Sequence, residues 1–326
     1  MRCKVCRGHA AVDVRRHNAA FCGPHFLEHV RTQVARSIRE FEMFSPEDRL
    51  LVAVSGGKDS LTVWDIVLDL GYDATGLHLD LGIGAYSRRS KEAALAYAER
   101  RGAPLISRSL ASEHGYTVPE LATATGRAPC SGCGLHKRYE LNRAALEEGF
   151  DILATGHNLD DEVATLFGNV VHWNTDLLGR QSPVLEERAL GEGEGGRAVL
   201  VRRVKPLVRL AERETAAYAV LRDIDYVVEE CPLVAGNTQH RYKEAVTRLE
   251  EASPGTKQQM YFGFLRKAAH RFRSDAAPDD LVACSACGGP TVAGGRGEPV
   301  CSFCRTKALA HRRVASGRRA TRAPEA

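Results

Sequence analysis

The sequence predicts an α/β protein: a doubly wound parallel sheet in the middle of the chain, flanked by N- and C-terminal zinc ribbons. Three observations predict it. Short apolar runs of strand type alternate with helical patterns from residue 49 to residue 204, the order that builds a parallel sheet with ligands at the carboxyl ends of its strands. Cysteine sets with metal-ligand spacing sit at both ends of the chain. One strand-like run ends directly in a glycine-rich loop that opens a helix.

The first element is a ribbon over residues 1–27. Cys3 and Cys6 form one CxxC turn, and fifteen residues further on Cys22 and His25 complete a tetrahedral donor set. His9, His17 and His29 lie nearby, yet only His25 has the two-residue spacing. Near the other end, Cys284 and Cys287 are followed after thirteen residues by Cys301 and Cys304, a second closed set in a ribbon over residues 276–312. Both segments are short and glycine-rich or alternating, so metal has to replace a core they cannot build. We expect one structural zinc ion in each.

Between the ribbons, residues 28–275 read as one catalytic domain entered through a helix over 26–44. Strand candidates are RLLVAVS, ATGLHLD, PLISRSL, DILATG and AVLVRRV. Helical patterns between them include LTVWDIVLDLG, SRRSKEAALAYAERRG, GLHKRYELNRAALEEG and LDDEVATLFGNVV. LEERALGEGEGGRAVLV, residues 185–201, reads as a flexible insertion rather than an element. Residues 313–326 form a basic tail; from 305 to 326 seven Lys or Arg face one acid, a pattern that favours nucleic-acid backbones or simple solubility.

Composition narrows the class. With 326 residues, 44% hydrophobic and 26% charged, the chain can bury a sizeable core, and wholesale disorder is excluded. The start MRCKVCRGHA lacks the apolar run of a secretory leader, and no stretch approaches the roughly 18 apolar residues of a membrane span. The expectation is a cytoplasmic protein with no membrane partner, where ten cysteines serve metal binding or catalysis rather than disulfides.

The loop SGGKDS, Ser55 to Ser60, has the chemistry of an anion cradle. Gly56 and Gly57 admit close backbone approach, Ser55 and Ser60 bring hydroxyls, Lys58 brings charge, and the helix behind them aims free N–H groups at a ligand. Its spacing does not fit GxxxxGK[ST]. Once the ribbon ligands are set aside, Cys130, Cys133 and Cys231 remain, one thiolate short of a closed zinc site and so more chemical than architectural.

SGGKDS after an apolar strand resembles the pyrophosphate loop of the PP-loop ATP pyrophosphatases, which split ATP into AMP and pyrophosphate. Taken with the flanking ribbons, the central CxxC followed by Lys137, ATGHNLDDEVAT and the late ECP, almost the whole chain resembles the tRNA 2-thiolation enzymes of the TtuA group, relatives of the wobble-uridine thiolases. The resemblance implies an ATP-dependent sulfurtransferase that adenylates the C2 oxygen of a tRNA uridine and replaces it with sulfur. It implies a ubiquitin-like sulfur-carrier protein as donor and a homodimer. The target is the T-loop 5-methyluridine in the TtuA group, with wobble uridine as the alternative. It places ATP on Ala53, Ser55, Gly56, Gly57, Lys58, Asp59, Ser60, Leu79, Lys137 and Gly156, with Lys137 stabilising negative charge and Asp161 holding magnesium or moving a proton. It makes Cys130, Cys133 and Cys231 the ligands of a [4Fe-4S] cluster, against a competing account in which two of them carry sulfur as persulfide and disulfide. Two other classes compete: an amidotransferase or lysidine-type ligase, which leaves the three cysteines unexplained, and a non-enzymatic zinc-ribbon RNA-binding protein, which does not require SGGKDS.

Overall fold

A computed structural model describes residues 1–190, 197–234, 238–272, 281–293 and 297–320. The N-terminal ribbon is an antiparallel hairpin of β1 (Val12–Val14) and β2 (Ala19–Phe21). Helix α1 (Gly23–Glu40) follows, three residues earlier than the sequence pattern predicts because Pro24 is tolerated in a first turn. It ends early because Glu42 turns the chain with a φ of 46°. Its stripe of Phe26, Val30, Val34 and Ile38, spaced four apart, is buried in the main core and anchors the ribbon to the domain.

The predicted alternation then appears in order. β3 (Leu50–Ala53) leads into α2 (Lys58–Asp69), β4 (Ala74–Asp80) into α3 (Gly84–Arg101), and β5 (Leu105–Ser109) into the short α4 (Leu110–His114) and α5 (Val118–Thr125). Helix α6 (Pro129–Glu147) leads to β6 (Ile152–Ala154), α7 (Leu159–Val171) and α8 (Thr175–Gly179). Around the expected insertion lie β7 (Val184–Leu185) and an antiparallel pair of β8 (Arg188–Leu190) and β9 (Arg197–Leu200), while its Gly/Glu run, residues 191–196, lies outside the described residues. Cross-strand pairing imposes on β8 a structure that its composition does not announce. AVLVRRV is two strands rather than one: β9 belongs to that pair, while β10 (Arg202–Val204) joins the main sheet.

The sheet order is β5-β4-β3-β6-β10-β7, parallel throughout except where β7 pairs antiparallel with β10. The strand order reverses between β3 and β6, which makes their carboxyl ends the crevice for a ligand. One face packs Leu50, Val52, Ile152 and Ala154 against α1, α2 and α7; the other packs Leu51, Leu77 and Leu153 against Leu141, Ala144 and Ala145 of α6. Helices α9 (Glu212–Leu221), α10 (Thr238–Ala252), α11 (Thr256–Lys267) and α12 (Ala269–Phe272) complete the first layer.

The C-terminal ribbon pairs β11 (Leu281–Ala283) with β12 (Pro290–Val292) and continues into α13 (Ser302–Ala320). The segment expected as a basic tail is therefore helical as far as Ala320. Phe303 stacks on Tyr139 of α6 with ring centroids 3.5 Å apart, His311 meets the His114 carbonyl at 2.7 Å, and Arg313 donates to the Ala124 carbonyl at 2.9 Å. The ribbon is thus clamped to the helix that carries Cys130, Cys133 and Lys137. Among the described residues no helix is long and apolar enough to cross a membrane.

Candidate active site

A cavity of about 330 Å³ opens at the point where the strand order reverses. Ala53 comes to it from the end of β3, Ser55 from the loop that follows, Asp59 and Ser60 from the first turn of α2, Leu79 from β4, Lys137 from α6 and Gly156 from just beyond β6. Seven of the residues assigned to ATP by resemblance therefore share one cavity, of a size suited to a small cofactor. Gly56, Gly57, Lys58 and Asp161 are not in its lining. His78, Tyr86, Ser90 and Leu141 line it as well, and no local sequence pattern marked them.

The loop is held open by its own hydroxyls. Ser60 Oγ accepts from the Ser55 amide at 3.1 Å and donates to the Gly57 carbonyl at 2.9 Å, while Ser55 Oγ lies 3.2 Å from Ser60 Oγ. Gly57, the N-cap of α2, has no side chain with which to cap, so the first N–H groups receive no acceptor from it. Helix α7 is the contrast: Asn158 caps it by accepting from the Asp160 and Asp161 amides. Gly56 has a φ of 75°, and a Cβ there would lie 2.3 Å from the Ser90 carbonyl oxygen. A Cβ on Gly156 would lie 2.8 Å from the Asp59 carbonyl carbon and the Ser60 amide nitrogen. Because both obstacles are backbone, Gly156→Ala is expected to displace the loop and weaken ATP binding by about 1–3 kcal/mol, with the fold intact. Equilibrium ATP titration beside a thermal melt checks this; wild-type ATP affinity would refute it.

A chain of alternating charges stands behind the loop. Lys58 Nζ lies 3.0 Å from Asp59 and 2.7 Å from Glu212, and Lys243 bridges Glu212 at 3.2 Å and Asp161 at 2.6 Å. Burial works against the Glu212 carboxylate, but hydrogen bonding to Lys58 and the charge of Lys243 outweigh it and hold its pKa down to about 2. The contribution of this pairing to stability is full above the ordinary glutamate value of 4.5 and is lost only as pH falls through about 2. Asp161 also completes the capping box by accepting from the Asn158 amide at 3.0 Å, and Asn158 Nδ2 donates to Asp59 at 3.2 Å. One residue thus ties the loop carboxylate Asp59 to Asp161.

The three central cysteines share one corner of the cavity's outer rim. Cys133, Cys231 and Leu233 pack against the same apolar cluster as Leu79 and Tyr86, and Cys130 Sγ lies 3.6 Å from the Leu233 carbonyl. Burial first, and then the neighbouring Cys231 and Cys130, push the Cys133 thiol up, against the pull of Lys137. Burial raises the Tyr86 hydroxyl too, with Cys231 and Cys133 adding to it. The three thiols do not crowd as the ribbon ligands do. In each ribbon, Cys3, Cys6, Cys22 and His25 or Cys284, Cys287, Cys301 and Cys304, all four donor atoms lie within 4.8 Å of one another. Among the described residues those are the only two groups spaced for a single metal ion. His17 and His29 instead pack against each other with ring centroids 5.4 Å apart. A looser trio of thiols on one partly exposed surface fits a multi-iron cluster, whose ligands bind separate irons, better than a lone cation.

The PP-loop domain family matches residues 28–250. The chain is 46% identical over 315 residues to a tRNA-5-methyluridine(54) 2-sulfurtransferase of Thermus thermophilus, covering 96% of this chain and 93% of that protein. It is 37% identical over 305 residues to the protein of that name from Pyrococcus horikoshii, covering 94% and 93%. The solved structure of the U34-tRNA thiolase NcsA from Methanococcus maripaludis, described with its [4Fe-4S] cluster, superposes with a TM-score of 0.75 at 23% identity over 94% of this chain and 95% of that one; this likeness speaks to the fold. A nucleotide-sized cavity at the PP-loop, a thiol corner beside it and full-length likeness at these identities lead to one conclusion: the chain belongs to the PP-loop family and, within it, to the family of the tRNA-5-methyluridine 2-sulfurtransferases.

Proposed function

We propose that the protein carries out ATP-dependent 2-thiolation of tRNA with the T-loop 5-methyluridine as its target. The observation that carries this reading is a shared boundary: Lys137 and Tyr86 line the nucleotide cavity and also stand in the field of Cys133. Activation of the base and handling of sulfur therefore meet across two side chains.

A uracil C2 oxygen is a poor leaving group. Transfer of AMP from ATP to that oxygen, with loss of pyrophosphate, lets a sulfur nucleophile attack C2 and expel AMP. The loop Ser55–Ser60 would receive the phosphates on the uncapped amides of α2, and the Leu79 backbone would meet the adenine. Lys137 would stabilise the charge developing on the transferred phosphoryl and on the C2 oxygen. Asp161 would hold the magnesium ion that accompanies ATP or take a proton, steadied by Lys243. Cys130, Cys133 and Cys231 would hold a [4Fe-4S] cluster, which when bound supplies an iron without a protein ligand for incoming sulfur. Each ribbon would hold one zinc ion, since soft thiolates and one imidazole in a tetrahedral set suit that metal. A thiocarboxylated ubiquitin-like carrier as sulfur source, a homodimeric assembly and a cytoplasmic location complete the reading.

The test is mass spectrometry of tRNA nucleosides from cells with and without the gene, with the modified position mapped on fragments. Selective loss of 5-methyl-2-thiouridine from the T loop is the expected result. Loss of wobble 2-thiouridine instead would move the substrate assignment, and no change in any thiolated nucleoside would overturn the reading.

A further inference from the structure

Four described arginines have a buried Nε with no hydrogen-bond acceptor: Arg101, Arg202, Arg203 and Arg209. Three of them are neutralised all the same, Arg101 by Asp65 and Asp69, Arg202 by Glu186 and Arg209 by Glu40. Arg203 alone has no carboxylate within ion-pair distance among the described residues. Lys205, just past the end of the same strand, is bound to Glu162 at 2.8 Å. The charge closest in effect to Arg203 is a second cation, Arg138: burial and then Arg138 both push the Arg203 guanidinium down. Arg138 is exposed and likewise without an ion-pair partner among the described residues.

Topology explains why the two meet. Arg203 is in register with Leu153 of β6, so the two side chains share the sheet face that packs against Leu141 and Ala144 of α6. Arg138 projects from the same helix, with its Nη1 3.1 Å from the Cβ position of Gly134, one turn nearer Cys130 and Cys133. Lys137, which does line the cavity, is the next residue. A largely desolvated guanidinium without a counter-charge is unfavourable, and a second cation acting on it makes it more so. Such a pair stands ready for an anion brought from outside.

We propose that Arg138 and Arg203 form a seat for one backbone phosphate of the RNA substrate at the rim of the active site, holding the strand so that the target base enters beside Lys137. This rests on the tRNA reading above. Neither arginine belongs to the loop Ser55–Ser60 assigned to the phosphates of ATP or lines the nucleotide cavity, and ATP affinity is the control that separates the two anions. Guanidinium forks match phosphate oxygens in pairs of hydrogen bonds, which an ammonium does not.

The experiment measures binding of an unmodified tRNA transcript by fluorescence anisotropy, at several salt concentrations, for wild type, Arg138→Gln, Arg203→Gln, Arg203→Lys and the double Gln variant. Each Gln substitution is expected to weaken tRNA binding about tenfold, and the double Gln variant, which frees the one phosphate, to reduce the slope of log affinity against log salt by about 1. Arg203→Lys should keep the slope and lose part of the affinity. ATP affinity should stay at wild type, and the melting temperature of Arg203→Gln should not fall, since an unpaired buried charge has been removed. Wild-type affinity and slope in the folded Gln variants would overturn the proposal. So would variants that bind tRNA normally but lose affinity for a sulfur-carrier protein, because the anion would then belong to that partner. A wild-type protein that binds tRNA no better than an unrelated RNA of equal length would count against the tRNA reading itself, a result separable from the two before it.

Discussion

Replacing Cys231 by alanine is expected to abolish the proposed [4Fe-4S] cluster: anaerobically purified Cys231→Ala should contain neither iron nor acid-labile sulfide at that site, and the proposed tRNA thiolation should fall to background. Cys231 reaches the corner from the loop after α9, packed with Leu233 beside Cys133, so its removal leaves two thiolates from a single turn of α6. Two ligands on one helical turn do not span a cube whose irons are bound separately. The fold should survive, because the main core of the domain lies elsewhere and Cys231 is itself only partly buried. Far-UV circular dichroism and ATP affinity should therefore match wild type while iron and sulfide are lost. Unchanged cluster content would remove Cys231 from the ligand set. A protein that thiolates tRNA with no iron at all would favour the persulfide account.

Lys137→Met is the second large effect. The methionine keeps most of the apolar stem and removes only the ammonium, which makes no ion pair among the described residues while lining the cavity beside Cys133. If the ammonium acts on charge that develops during AMP transfer, its loss should lower kcat for tRNA-dependent pyrophosphate release by roughly 100- to 1000-fold. ATP affinity should change far less, because on the proposed reading the ground-state phosphates would sit on the amides of α2. A raised KM for ATP with kcat intact would assign Lys137 to ground-state binding instead. Iron and sulfide content should be unaffected, which distinguishes this variant from Cys231→Ala.

The parts of this protein that were legible in one dimension are those in which chemistry depends on near neighbours. Cys3 with Cys6, Cys284 with Cys287, and SGGKDS carry their geometry in a few consecutive residues, and the structure brings both quartets to ligand spacing. Strand and helix alternation from β3 to β6 was equally readable, since an apolar run of four to seven residues before a helical pattern has few other uses in a parallel sheet. The β8 strand has no signal of its own in the sequence, because it is held by cross-strand pairing with β9, which falls partly in the strand candidate AVLVRRV and contacts α6. Glu212 and Lys243 gave no signal, as a charge on a helix looks solvated until its partner on another element is known. Asp161 was identified by motif, yet its contacts with Asn158 and Lys243 appear only on folding.

By itself the sequence determined the fold class, the two metal ribbons, the phosphate loop and the presence of three surplus thiols. Each follows from local spacing or from periodic burial of apolar side chains, which short stretches of chain encode without reference to the rest. Only the tertiary structure decided that the loop SGGKDS lies at the reversal of strand order, that Lys137 lines the cavity beside Cys133, and that Arg203 has no counter-charge among the described residues. Those are statements about residues far apart in sequence, set by sheet order and helix packing, and Coulomb and hydrogen-bond energies depend on the distance, burial and orientation that folding imposes on them.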